Sequence, residues 1–396
     1  MILDKLFQLM AEKQASDIFI SAGVPIHIKI QGNAIPVNQQ VMDSAMIEKI
    51  AFELMSPDQL HTFEATMEMN LSFGVPNVGN FRINIFRQRA SISIVVRYIL
   101  GNIPELDTLM LPSILSELIM EKRGLMLIVG STGSGKSTTI ASMLDYRNAN
   151  RSGHILTIED PIEFLFKHKK SIVNQREIGM DTMDWQAALK NAMRQAPDCI
   201  LIGEIRDKET MQAAIAYAQT GHLCLATLHA NNSYHALNRI ISFFPLENRS
   251  ALFLDLSVAL RAIISQRLIK KPDGKRAPTC EVMLNTRHIS ELIERGEVQG
   301  IKDAMEQTLA PGSQTFEQDL FRLYRENTIT LDEALANADS PTNLSWLINN
   351  SDLSSSSNGK EDKTIDTALE FDSTNLGGAS FKEFSLSLGD STEENT

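Results

Sequence analysis

The sequence predicts an α/β nucleotide-binding domain built on a parallel sheet, with a small α+β domain before it and an acidic, disordered tail after it. Three observations carry this expectation. Short apolar runs alternate with helical runs from about residue 124 to residue 230, the pattern of strands buried on both faces and separated by helices. A complete glycine-rich phosphate loop lies between one such strand and the next helix. The first hundred residues instead interleave half-buried strand patterns with helices.

In order, MILDKLFQLMAEKQASD places apolar residues at helical spacing, with charges every few positions. It has no apolar core or small-residue cleavage site of a leader peptide. DIFISAG and IHIKIQG alternate apolar and polar residues, as strands do. Helical patterns follow at Asp43–Met55 and Pro57–Thr66. MNLSFG, GNFRINIFRQR and ISIVVRYI then read as three more strands. This first domain is expected over residues 1–102, with a proline-containing linker at 103–112. PSILSELIMEKRG predicts a helix ending at Gly124. Beyond it LMLIVG, HILTIED, CILIGE and HLCLATLHA are expected strands. The helices between them are GKSTTIASMLDYRNAN, WQAALKNAMRQ and KETMQAAIAYAQTG. After about Ser233 the pattern reads as mostly helical, so the second domain is expected over 113–349 with a helical C-terminal part. Residues 350–396 are Ser-rich and without periodicity. Within them Phe381–Leu388, FKEFSLSL, is either solvated tail or a segment apolar enough to dock on a partner.

The net charge is −12, and ten acidic and three basic residues from Ser351 onward give the tail −7. The body therefore carries −5. That balance, with no basic–aromatic stretch, argues against a nucleic-acid motor. No apolar run approaches the ~18 residues of a membrane span, so a soluble, cytosolic protein is expected, reaching a membrane only through partners. Cys199, Cys224 and Cys280 are widely spaced and form no CxxC pair, the pattern of buried thiols in a reducing compartment.

The phosphate loop is Gly130, Ser131, Thr132, Gly133, Ser134, Gly135, Lys136 and Ser137, followed by Thr138. It matches GxxxxGKS/T in full and in context. Glycines let backbone N–H groups turn inward around phosphate oxygens, and the helix N-terminus adds a favourable dipole. Lys136 is expected on the β- and γ-phosphates of ATP and Ser137 on Mg²⁺. CILIGE ends in Glu204, at the strand edge where ligands of such sheets bind, so Glu204 is expected to hold Mg²⁺ through water. HILTI runs into Glu159, Asp160, Pro161 and Glu163. One of these carboxylates is expected to polarise the attacking water.

His222 and His229 are seven apart, an odd spacing that puts them on opposite faces of one strand and argues against a shared metal. His229 falls at the catalytic edge. Spacing alone makes His222 a structural histidine. Arg82, Arg87, Arg89 and Arg97 lie on first-domain strands, either as surface arginines or as a finger offered to another subunit's nucleotide.

GSTGSGKST, ILTIEDPIEF, CILIGEIRD and TGHLCLATLH resemble the Walker A, Asp box, Walker B and His box of the secretion-ATPase superfamily. VNQREIGMDT and ISQRLIKK resemble the type IV pilus retraction ATPases, the PilT/PilU group. HISELIER and the long acidic tail are similar to its PilU-type members, and no paired-CxxC zinc insertion of the extension ATPases is present. The resemblance covers roughly residues 1–345. It implies a RecA-like domain, a PAS-like first domain and a ring, either a homo-hexamer or a mixed assembly with PilT. It also implies ATP-driven pilus retraction, as an accessory motor with PilT, at the cytoplasmic base of the inner-membrane machine, on a PilC-like platform protein. It assigns catalysis to Glu163, the Walker B acid to Glu204, the His box to His222 and His229, and nucleotide-facing positions to Arg82 and Arg97. The competing reading is an ATP-binding ring that regulates PilT with little turnover of its own.

Overall fold

The structure is a computed structural model. It describes residues 2–355 except positions 31, 77, 100 and 309. The segment FKEFSLSL lies outside the described residues.

The first sheet has six antiparallel strands. The chain runs α1 (Ile2–Lys13), β1 (Asp17–Ile20), β2 (Pro25–Ile30), β3 (Asn33–Val41), α2 (Ser44–Leu54), α3 (Pro57–Thr66), β4 (Glu68–Val75), β5 (Gly79–Gln88) and β6 (Ser91–Ile99). The strand order is β3-β2-β1-β6-β5-β4. Period-two burial makes the core face: Phe81, Ile83 and Ile85 of β5 are buried, while Arg82 and Asn84 between them are only partly covered. Phe7 of α1 stacks on Phe81 with ring centroids 4.3 Å apart. Asp43 and Ser56 cap α2 and α3 by accepting from Met46 N and Gln59 N. The sequence pattern does not reveal β3, because this edge strand is almost wholly exposed and Pro36, Asn38, Gln39 and Gln40 break up its apolar residues.

The second sheet has seven strands. Its elements are α4 (Ile114–Leu118), β7 (Gly124–Val129), α5 (Lys136–Asn150), β8 (Gly153–Glu159), β9 (Ser171–Glu177), α6 (Trp185–Ala192), β10 (Cys199–Ile202), α7 (Lys208–Gln219), β11 (Leu223–Leu228), α8 (Ser233–Ser242), α9 (Arg249–Ala259), β12 (Leu260–Lys270) and β13 (Arg276–Leu284). The order is β13-β12-β7-β11-β10-β8-β9. Every pairing is parallel except β12 with β13. All six residues of β7 are buried. Leu125, Leu127 and Val129 face one core with α6–α9, and Met126 and Ile128 face another with α4 and α5. A strand covered on both sides must read as a continuous apolar run, and this one does. The three cysteines are free and buried in these strands. Burial pushes the Cys199 thiol up to about 11.

Two local expectations are corrected and one strand is added. The helix after the linker ends at Leu118, and Gly124 instead opens β7. SIVNQRE forms a strand, β9. The stretch after Ser233 is not mostly helical throughout: β12 and β13 form a hairpin through Pro272-Asp273-Gly274. Polar residues disguise these strands. Ser265 and Gln266 interrupt β12, yet both are buried and hydrogen-bonded to side chains distant in sequence. Helices α10 (Arg287–Arg295), α11 (Ile301–Gln307), α12 (Phe316–Arg325), α13 (Leu331–Asn337) and α14 (Pro341–Ser355) follow.

Candidate functional site: a phosphate loop ringed by acids

The loop from Gly130 to Gly135 joins β7 to α5, in the middle of the parallel sheet. Its conformation demands glycine. Gly135 has φ +91°, and a Cβ there would stand 2.8 Å from Gln266 Nε2. At Gly130 a Cβ would lie 2.4 Å from Ser134 Oγ and 2.5 Å from the Gln266 carbonyl. Gln266 therefore backs the loop from β12, and its Oε1 also accepts from Thr139 Oγ1 at 2.8 Å. Lys136 Nζ donates to the carbonyls of Gly130 (2.8 Å) and Ser131 (2.9 Å), so its amino group is held at the loop's mouth. Burial lowers the Lys136 pKa, and Glu204 and Glu163 oppose that shift.

A cavity of about 240 Å³ adjoins the loop. Lys136 and Ser137 wall one side, Glu159 and Glu163 another, and Glu204 and His229 a third. Lys136 and Ser137 follow β7, and the acids and His229 follow β8, β10 and β11, so the carboxyl ends of four adjacent strands gather them at one edge. Glu204 stands two residues beyond the end of β10. Its Oε2 accepts from Arg206 Nε at 2.8 Å, and its Oε1 lies 3.4 Å from His229 Nε2.

The three acids of the β8 tip have separate environments. Asp160 Oδ2 is 3.5 Å from Arg206 Nη1. Glu159 accepts from Thr157 Oγ1 at 2.6 Å and from Gln175 Nε2 at 3.3 Å. Burial pushes its carboxyl up to about 7; those two hydrogen bonds oppose the shift, and Glu163 and Glu177 add to it. Glu163 is exposed to the cavity. Its loop is pinned from β9: Gln175 Oε1 accepts from Phe166 N (2.9 Å), Gln175 Nε2 donates to the Phe164 carbonyl (2.8 Å), and Glu177 Oε2 accepts from Ile162 N (3.0 Å).

His222 is not brought to this cavity. It precedes β11 at the opposite end from His229, and its Nδ1 lies 3.1 Å from Thr220 Oγ1 and 3.2 Å from the Tyr217 carbonyl. An extended strand separates two residues seven apart by roughly 20 Å. Arg97 donates to Asp17 Oδ1 at 2.9 Å, within its own sheet. Arg82 pairs with Glu177 of the same chain. Gln175, Glu177, Arg206 and Gln266 received no role from the sequence. For Gln175, Glu177 and Gln266 the signal was polar side chains set among apolar ones within VNQRE and ISQR, and Arg206 had only its place two residues after Glu204.

The residues fit a nucleoside triphosphate. Ser134 Oγ is buried in the loop without a hydrogen-bond partner among the described residues, beside glycine-enabled backbone turns and a lysine. Sheet order, central loop and acids at neighbouring strand tips define a RecA-like P-loop ATPase.

The comparisons agree. The family model described as Type II/IV secretion system protein matches residues 1–325. The type IV pilus ATPase PilU of Pseudomonas aeruginosa is 47% identical over 349 residues, 88% of this chain and 91% of the relative. The type IV pilus retraction ATPase PilT of the same bacterium is 37% identical over 344 residues, 87% of this chain and 100% of the relative. A crystal structure of the pilus retraction motor PilT with bound ADP has a TM-score of 0.80 at 41% identity, covering 86% of this chain and 98% of that one. The chain belongs to the Type II/IV secretion system protein family, in its PilT/PilU group.

Proposed function

We propose that the chain is a motor ATPase of type IV pilus retraction, acting as an accessory to PilT. One observation carries the enzymatic part: Lys136, Glu163, Glu204 and His229 converge on a single cavity beside a complete phosphate loop. The similarity to PilU and PilT supports the pilus part.

In this reading the loop's backbone N–H groups and Lys136 bind the triphosphate. Glu163 accepts the proton of the attacking water, and the restraint on both sides of it by Gln175 and Glu177 keeps the carboxylate aimed. The Ser137 hydroxyl, and Glu204 through water, are hard oxygen groups that would hold Mg²⁺. When bound, Mg²⁺ neutralises charge on the phosphate oxygens. His229 faces Glu204 and sits where the γ-phosphate side of the cavity is expected. Arg97 and, when free of Glu177, Arg82 are candidates for a neighbouring subunit's nucleotide in a homo-hexamer or a mixed ring with PilT. The ring would act at the cytoplasmic base of the inner-membrane machine against a PilC-like platform protein. Among the described residues no helix is long and apolar enough to cross a membrane, in keeping with attachment through partners.

The test is steady-state ATP hydrolysis by the wild type and Glu163→Gln. The expected fall is about 10²–10⁴-fold in kcat, with nucleotide binding kept. Equal, negligible rates in both proteins would favour the ATP-binding regulatory ring instead.

A further inference from the structure

We propose that Glu177 is a positioning residue that ties the posture of the first sheet to the loop carrying Glu163. The inference rests on the reading of Glu163 as the water-activating carboxylate.

Glu177 ends β9 and is only 5% exposed. A carboxylate so buried costs several kcal/mol unless it is paired and its oxygens are hydrogen-bonded. Its two oxygens are satisfied from different directions. Oε1 pairs with the Arg82 guanidinium, on β5 of the first sheet. Oε2 accepts from the Ile162 backbone N–H, one residue before Glu163. Its own backbone N–H donates to Asp181 Oδ2 at 2.9 Å, which fixes the strand end itself.

The loop around Glu163 thus has two anchors of different kinds. Position 164 is held by Gln175, whose partners all lie within the second sheet and its loop. Position 162 is held by Glu177, whose compensating cation comes from the first sheet, 95 residues earlier in the chain. Withdrawal of Arg82 would leave a buried carboxylate without its counter-charge, beside Glu159 and Asp181. Such a group must then move toward solvent, take up a proton or recruit another cation. Movement or protonation weakens the hold on Ile162, whereas a substitute cation restores it. Guanidinium groups bind phosphate as readily as carboxylate, so any anion that draws Arg82 away acts on the same anchor. Movement of the first sheet is in this way transmitted to the position of the catalytic carboxylate.

The test is a double-mutant cycle in the full chain: Arg82→Gln, Glu177→Gln and both together, read as kcat and KM for ATP. Glu177→Gln can keep an acceptor for Ile162 N–H, but it removes the charge and sets an amide NH2 donor against the Arg82 guanidinium. The expected result is a kcat lowered roughly tenfold by either single change, KM moved less than about twofold, and a double variant no slower than the slower single. Arg82→Lys, which retains the charge, is expected to recover most of the loss. Effects that multiply in the double variant, or a change confined to KM, would overturn the coupling and leave Arg82 as a nucleotide ligand or a mere surface group. If the glutamine at 177 prevents folding, the comparison of Arg82→Lys with Arg82→Gln decides alone: equal kcat values refute the coupling. Glu163→Gln run alongside keeps the two ideas apart. Retained turnover there would remove the reading of Glu163, whereas an inactive Glu163→Gln with a multiplicative cycle would remove only the coupling.

Discussion

Replacing Glu159 by glutamine should stabilise the protein at alkaline pH and leave it unchanged at acidic pH. The carboxyl of Glu159 is pushed from its ordinary value of 4.5 up to about 7, chiefly by burial. The folded chain therefore favours the neutral acid. Between those two pH values the unfolded chain has released its proton while the folded chain still holds one, so stability falls as pH rises. This contribution is fully present below pH 4.5 and lost above about 7. The displacement corresponds to about 3 kcal/mol, at about 1.4 kcal/mol per pH unit. Glutamine cannot ionise, and its oxygen can still accept from Thr157. Wild type and variant should match near pH 4, and the variant should be about 3 kcal/mol more stable near pH 8. Urea unfolding followed by tryptophan fluorescence measures this directly. Of the two tryptophans, Trp185 packs against the core of the second sheet beside Gly203 and Trp346 is 65% exposed, so a Trp346→Phe background reports the site alone. Stability curves of the two proteins that run parallel from pH 5 to 8 would refute the assignment of a neutral Glu159.

Two further outcomes can be checked. Lys136→Ala should abolish ATP turnover, and in cells it should reduce pilus retraction force in an optical trap without eliminating retraction while a PilT partner remains; unchanged force would count against a motor role. Arg147 is buried, with Nη1 donating to the carbonyls of Ile119 (2.6 Å) and Glu121 (2.9 Å). Arg147→Met fills similar space but strips both acceptors, and should lower stability by about 2 kcal/mol or more in the same urea assay.

Much of the architecture was legible in the sequence because the governing patterns are local. β7, β8, β10 and β11 are continuous apolar runs, since each is covered on both faces. β9 and β12 escaped notice because their function writes polar residues into them: Gln175 and Glu177 grip a loop, and Ser265 and Gln266 meet Glu281 and Thr139. β3 is hidden for the opposite reason, being an edge strand with only Val37 partly buried.

The same division holds at the site. The phosphate loop, the acids at the strand tips and the order of strands and helices can be read from the amino acids alone, because glycine placement and apolar periodicity act over a few residues. Which of those groups meet was settled by the fold in three dimensions. It set His229 against Glu204 and His222 at the far end of the same strand. It raised Glu159 toward neutrality by burial while leaving Glu163 open to the cavity. And it joined Arg82 to Glu177 across two sheets. Desolvation and ion pairing depend on what surrounds a group in space, and neighbours brought together from distant parts of the chain leave no mark on local sequence.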